Sequence, residues 1–171
     1  MRPIFFPAAC VLVLGLFAGC AEYHLGPANG AVAGGKSIEV LPFNNQTLQP
    51  RLGDTLTEAL REELQTDGTY RLTARAPGDV VVTGVITGYS RKGVSFLSGD
   101  AATPQDYRID VTAHVTAREH ATGKLLLDKN VTGYTLVPVN SDLVDAERQA
   151  LPLLTQDLAR NITGLLTEGS W

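Results

Sequence analysis

Cysteine is nearly absent from this chain, and its position decides much of the reading. The 171 residues hold two, Cys10 and Cys20, both within the first twenty positions. Beyond position 20 there is none, so the body of the chain can form no internal disulfide and no cysteine-based zinc site. An excess of basic residues is also missing. Lys and Arg number 14 against 18 Asp and Glu, a formal net charge of −4. Phosphate backbones are held by clustered cations, so nucleic acid is excluded as a general partner and any basic patch must be local. Hydrolase signatures of the G-x-S-x-G and H-E-x-x-H kinds do not occur. The three histidines, His24, His114 and His120, are scattered. Without a nucleophile–base pair the chain is not expected to be an enzyme, and no metal or cofactor is expected. What is present, 44% hydrophobic and 19% charged residues, is the composition of a folded domain.

The first 19 residues read as a secretory leader. Arg2 supplies the positive start, and Ile4 to Ala18 is an apolar run without charge. It is shorter than the ~20 residues of a spanning helix but suits the apolar region of a signal peptide. Leu16-Phe17-Ala18-Gly19-Cys20 resembles a lipobox, with small residues at the cut and then the cysteine that takes lipid; Phe17 stands where Leu is usual. The expectation is cleavage after Gly19 and a membrane anchor on Cys20. In lipoproteins of this type Asp after the cysteine favours inner-membrane retention. Ala21 fits sorting to the outer membrane, with the body on the periplasmic side. Residues 20–36 form the lipidated start and a glycine-rich tether, leaving 37–171 as one domain.

Within that domain Ser37 to Phe43 reads as a strand and Asn44 to Gln49 as a polar loop. Pro50 suits the first helical position. Leu52, Leu56, Ala59, Leu60 and Leu64 share one face of a helix stopped by Asp67-Gly68. Tyr70 to Thr73 reads as a short strand and Val80 to Tyr89 as a longer one, by β-branched content. Arg108 to Arg118 alternates cleanly: Ile109, Val111, Ala113, Val115 and Ala117 on one side, Arg108, Asp110, Thr112, His114, Thr116 and Arg118 on the other. That is a strand with one dry and one wet face. Residues 96–106 read as a long loop. Residues 121–124 turn the chain into a returning strand, Leu125 to Tyr134. Asp142 to Leu166 is helical, with a stripe of Leu151, Leu154, Leu158, Ile162 and Leu165, and with Pro152 expected to kink or split it. The expected fold is α+β: a two-layer sandwich of a mostly antiparallel sheet of about four strands, two helices on one face, in the order β-α-β-β-β-α.

Several segments in order resemble one family. Cys20-Ala-Glu-Tyr-His-Leu-Gly26 is similar to the Cys-Gly-Tyr-x-Leu start of the lipopolysaccharide-assembly lipoproteins, LptE, with Ala21-Glu22 where the family often has a single Gly. Ser37-Ile-Glu-Val-Leu-Pro-Phe-Asn-Asn45 resembles the family's first strand and loop. Thr57-Glu-Ala-Leu-Arg-Glu-Glu-Leu64, Gly78-Asp79-Val80 and Asp157-Leu-Ala-Arg-Asn-Ile162 continue the likeness. The resemblance implies a lipoprotein that plugs and helps assemble the outer-membrane β-barrel LptD and handles lipopolysaccharide. The strand, Pro-Phe-x-Asn, helix, strand order is also similar to periplasm-facing scaffold or activator lipoproteins of the TolB N-terminal-domain and CsgG type. Lipopolysaccharide is densely anionic in its inner part, so a handling site would present cations. Arg91 and Lys92, after the strand ending at Tyr89, and Lys124, at the hairpin turn, are the candidates. Solubilising charge at loop tips is the competing reading. Tyr89, Tyr107 and Tyr134 are candidate amphipathic contacts for a barrel wall.

Overall fold

The computed structural model describes residues 34–74, 77–138 and 142–168. The leader, Cys20 and most of the tether lie outside these residues. The elements are β1 (Lys36–Val40), β2 (Asn44–Asn45), α1 (Leu52–Asp67), β3 (Tyr70–Leu72), β4 (Val80–Leu97), β5 (Asp100–Glu119), β6 (Leu125–Pro138) and α2 (Leu143–Thr167).

The α+β class is as expected, but the sheet is not a set of about four mostly antiparallel strands. It has six strands and is mixed, in the order β3-β1-β4-β5-β6, with β2 also on β4. β1 is parallel to β3 and to β4, β2 is parallel to β4, and β4–β5 and β5–β6 are antiparallel. The parallel part follows from α1. A helix between β1 and β3 carries the chain back so that β3 starts where β1 started. The expected first strand is broken at Leu41 to Phe43, around Pro42. Leu41 N–H donates to Val82 C=O and Gln46 N–H to Ile86 C=O, so the line continues across the break.

The largest departure is the segment read as a loop. β4 runs on to Leu97 and β5 begins at Asp100, closed by a tight turn in which Gly99 has φ 86°. Its register slips at Gly93/Ser95, Ser95/Phe96 and Phe96/Leu97, and Pro104 pairs with Phe96 in that irregular stretch, where a missing N–H is tolerated. These bulges erase the period-2 pattern that marks a strand in sequence.

Both helices cover one sheet face. Leu52, Leu56, Leu60 and Leu64 of α1 meet Ile38, Val80, Val82 and Ile86. Leu154, Leu158 and Ile162 of α2 meet Ile109, Val111, Val131 and their neighbours in one continuous core. Gly68 ends α1 with φ 73°, its N–H on Leu64 C=O. Pro50 is not the first helical residue; Arg51 caps the helix in a left-handed conformation and Leu52 starts it. α2 is not split at Pro152 but runs unbroken from Leu143 to Thr167, with the Asp142 side chain accepting from Val144 N–H at its start. The close seat of α2 on the sheet requires glycine at 133. A Cβ there would lie 2.6 Å from Leu158 N.

Candidate functional site

The register decides which side chains can act together. β5 presents its odd residues to the helices and its even residues to an open face. β4 pairs with it as Val85↔His114 and then, after a bulge at Thr87, as Gly88↔Thr112, Ser90↔Asp110 and Lys92↔Arg108. Odd residues of β4 lie on the open face before the bulge and even residues after it. Arg91 therefore faces the helix side and Lys92 the open side. Neighbours in sequence, they occupy opposite faces.

Arg91 forms an ion pair with Glu147 of α2 and lies 5.6 Å from the Tyr107 ring centroid. The Glu147 carboxylate, hydrogen-bonded to it, holds the guanidinium above even its usual pKa. Tyr89 lies alongside, and burial, then the Glu147 charge, pushes its phenol up; its hydroxyl is buried with no partner among the described residues. The Arg91 charge is thus largely matched within the protein.

Lys92 is different. It is exposed, and its cross-strand partner is Arg108, a residue that sequence reasoning did not place in the site. Arg108 lies 4.0 Å over the Tyr134 ring and pairs with Asp110 at 2.9 Å. Lys92 and the Tyr134-stacked Arg108 thus share one patch of the open face, with Asp110 beside Arg108. Half-exposed Val94 and Phe96 continue the same hairpin outward.

Lys124 does not join them. Glu119 pairs with Val80 at the start of β4, so the β5–β6 turn lies at the other end of the sheet. Twelve residues at ~3.3 Å each put it roughly 40 Å from Lys92. There it faces Glu119, whose carboxyl is held below its usual range by the Thr122 hydroxyl, by Lys36 and by Lys124 itself. This is also the end where β1 begins. Ser37 N–H and hydroxyl both donate to the Asp79 carboxylate, at 2.8 and 2.7 Å, and lower its pKa.

One motif escaped the sequence reading. Gly30 to Ser37 fits the spelling G-x-x-x-x-G-K-S of a phosphate-cradling loop. Such a loop must follow a strand and open a helix. Here Lys36 and Ser37 open β1 instead, with Lys36 3.5 Å from Glu119 and Ser37 bound to Asp79. The context rules out a nucleotide site of that kind. His114, on the open face, is clamped between Asn130 (3.0 Å from Nδ1) and Asp128 (2.9 Å from Nε2), a tie between strands.

The family model of LptE, described as lipopolysaccharide-assembly, matches residues 35–164. The chain belongs to the LptE family. LptE proteins are non-enzymatic lipoproteins of lipopolysaccharide assembly in the Gram-negative envelope. No curated protein matches the sequence. Solved structures share the fold at low identity. A minor lipoprotein from Acinetobacter baumannii is 12% identical with a TM-score of 0.51, covering 77% of this chain and 93% of that one. The PelC dodecamer from Paraburkholderia phytofirmans is 16% identical at 0.50, covering 80% and 92%. A hypothetical protein from Chlamydia trachomatis is 10% identical at 0.56, covering 78% and 96%. At these identities they speak for the LptE fold alone. Among the described residues no helix is long and apolar enough to cross a membrane.

Proposed function

We propose that this chain is an outer-membrane lipoprotein, anchored through lipid on Cys20 on the periplasmic side, that plugs and helps assemble the β-barrel LptD during lipopolysaccharide transport. The family match over residues 35–164 carries the reading. A plug must meet a barrel wall with a rigid surface, and a wide sheet face rich in hydroxyls and left uncovered by the helices is suited to that. We further propose that lipopolysaccharide phosphates meet Lys92, with Arg108 beside it; Arg91, on the helix face and paired with Glu147, joins them only if that pair opens. Lys124 belongs to the site only if the ligand spans the length of the sheet.

The test is co-purification of a tagged copy from outer membranes in mild detergent. A large β-barrel should be recovered in stoichiometric amount; recovery of only a soluble periplasmic protein or a peptidoglycan synthase would replace this reading by the scaffold one. In the recovered complex, Lys92→Glu with Arg108→Gln should weaken lipopolysaccharide binding by about tenfold or more, and most at low salt, where charge pairs are least screened. Unchanged binding by that folded variant removes both residues from the site.

A further inference from the structure

A strand at the margin of a sheet turns unpaired N–H and C=O groups outward, and proteins usually cover them. β6 is such a margin. α2 covers part of it with side chains: Tyr134 N–H donates to Asp157 at 2.9 Å, and Asn161 donates to Thr132 C=O at 3.0 Å. These two contacts also show which residues turn their backbone outward. In an antiparallel pair they alternate, so Thr132 and Tyr134 are followed by Leu136. The outward N–H and C=O of Leu136 have no partner among the described residues.

Beside that uncovered step the sheet and α2 separate. A cleft of about 420 Å³ opens there, lined by Leu136, Val137, Ala146, Ala150 and Leu153, with Asp142 and Asp145 at its rim, Asp145 paired with Arg148 at 3.0 Å. Leu136, turned to the open face like its partner Arg108, and Leu153 are 59% and 58% exposed, so apolar surface flanks the uncovered step on both sides.

We infer that this edge receives an extended segment of a different polypeptide by strand addition. The incoming backbone pairs with Leu136, one apolar side chain enters the cleft between Val137 and Leu153, and a flanking Lys or Arg meets Asp142. Main-chain bonds supply the affinity and the pocket the selectivity. Charge argues for a different chain over a second copy: Arg148 offsets Asp145, but Asp142 has no ion pair among the described residues, and two copies meeting here would bring two such carboxylates together. The inference stands apart from lipopolysaccharide handling.

The test uses the full lipidated protein in mild detergent and a fluorescent peptide of sequence Arg-Val-Leu-Val-Lys, blocked at both ends. Saturable binding is expected by anisotropy, with slowed backbone hydrogen exchange confined to residues 131–138. Methylating alternate peptide amides, which removes strand pairing and keeps the side chains, should weaken it by about tenfold or more. Leu136→Pro deletes the outward N–H and leaves the β5 ladder intact, and should do the same. Ala146→Phe fills the cleft and is a second route to that loss if the proline variant misfolds. No saturable binding, or binding indifferent to amide methylation and to Leu136→Pro, overturns the inference. So does dimerisation through this edge in place of peptide binding. Any of these would leave recovery of a β-barrel partner unaffected.

Discussion

Near Val80, where β4 begins, the polar groups are tied to one another. Ser37 holds Asp79, His120 N–H donates to Asp79 C=O, Thr122 and Lys36 hold Glu119, and Gly34 N–H reaches the carbonyls of Gly68 and Thr69. Near Phe96, where β4 ends, polar pairs persist, Ser95 with Asp106 and Arg91 with Glu147, but they stand among exposed apolar groups. Val94, Phe96, Leu136, Leu153 and Val144 are exposed, Lys92 stands in solvent beside Arg108, and the β6 edge is uncovered at Leu136. β1 begins at the first end, so a lipid anchor on Cys20, as proposed, would load that end. The second end, at the far end of β4, keeps apolar surface and charge in water. Exposed apolar groups concentrated at one end are what a docking surface presents.

The comparison depends on one rigid body joining the two ends, and the strongest way to break it is at the join. Gly133 lies midway along β6 under Leu158, where an added Cβ would meet Leu158 N at 2.6 Å and Cα at 2.7 Å. Backbone cannot turn aside as a side chain can, so α2 would have to lift. Gly133→Val should cost about 3 kcal/mol, the upper part of the usual overpacking range, read as a lowered urea midpoint. A loss under ~1 kcal/mol would mean that α2 is not held to the sheet as described.

A smaller effect separates the ends by pH. Ser37 is buried, and Ser37→Ala removes its hydroxyl bonds with Asp79 at a cost of about 1–2 kcal/mol. Asp79 sits below its ordinary 3.8 because the Ser37 N–H and then the Ser37 hydroxyl favour the carboxylate. A carboxyl with a depressed folded pKa contributes stability above its unfolded value and loses it as pH falls through the folded one. Native stability should therefore fall as pH drops below about 3.8. Ser37→Ala should make that fall shallower, and Asp79→Asn should remove this component. Denaturation midpoints between neutral pH and pH 2.5 measure it. Identical acid profiles for native and Asp79→Asn chains would show that Asp79 does not anchor the tether end.

Parts of this contrast were legible in sequence and parts were not, for identifiable reasons. The α1 stripe and the β5 alternation are regular periods that burial imposes on side chains, and both were read correctly. Arg91 and Lys92 look like one cationic patch when the strand is ended at Tyr89; because β4 runs on to Leu97 they alternate onto opposite faces, and the bulge at Thr87, invisible in composition, decides which of the two meets the helices. The same register pairs Lys92 with Arg108, sixteen positions on, which no local pattern connects. Pro104 and the slips near Ser95 hide the far part of the hairpin, so the end richest in exposed apolar groups read as loop. The parallel pairings of β1 depend on the path taken through α1, which strand composition does not record. The outward residues of β6 follow from contacts with α2 alone.

The smallest expected effect is the sharpest discriminator between the ends. Lys124 and Lys92 are both exposed lysines of the same domain, and on charge alone they are equivalent. Their settings are not. Lys124 lies in a turn where Glu119, Thr122 and Lys36 already form a neutralised cluster, while Lys92 has no ion pair among the described residues and stands across from Arg108, which Asp110 pairs. At physiological salt the Debye length is ~8 Å, so a charge roughly 40 Å from Lys92 adds almost nothing to the potential there. Lys124→Glu should therefore leave lipopolysaccharide binding within about twofold of native and stability within ~0.5 kcal/mol, as for a surface change away from any packed feature. Lys92→Glu, an identical change in charge, should weaken binding several-fold at low salt. If the two reversals weaken binding equally, the ligand is sensing net charge and the distal patch has no special part in it. If Lys124→Glu has the larger effect, the binding surface is at the tethered end, and the contrast drawn between the two ends of β4 is reversed.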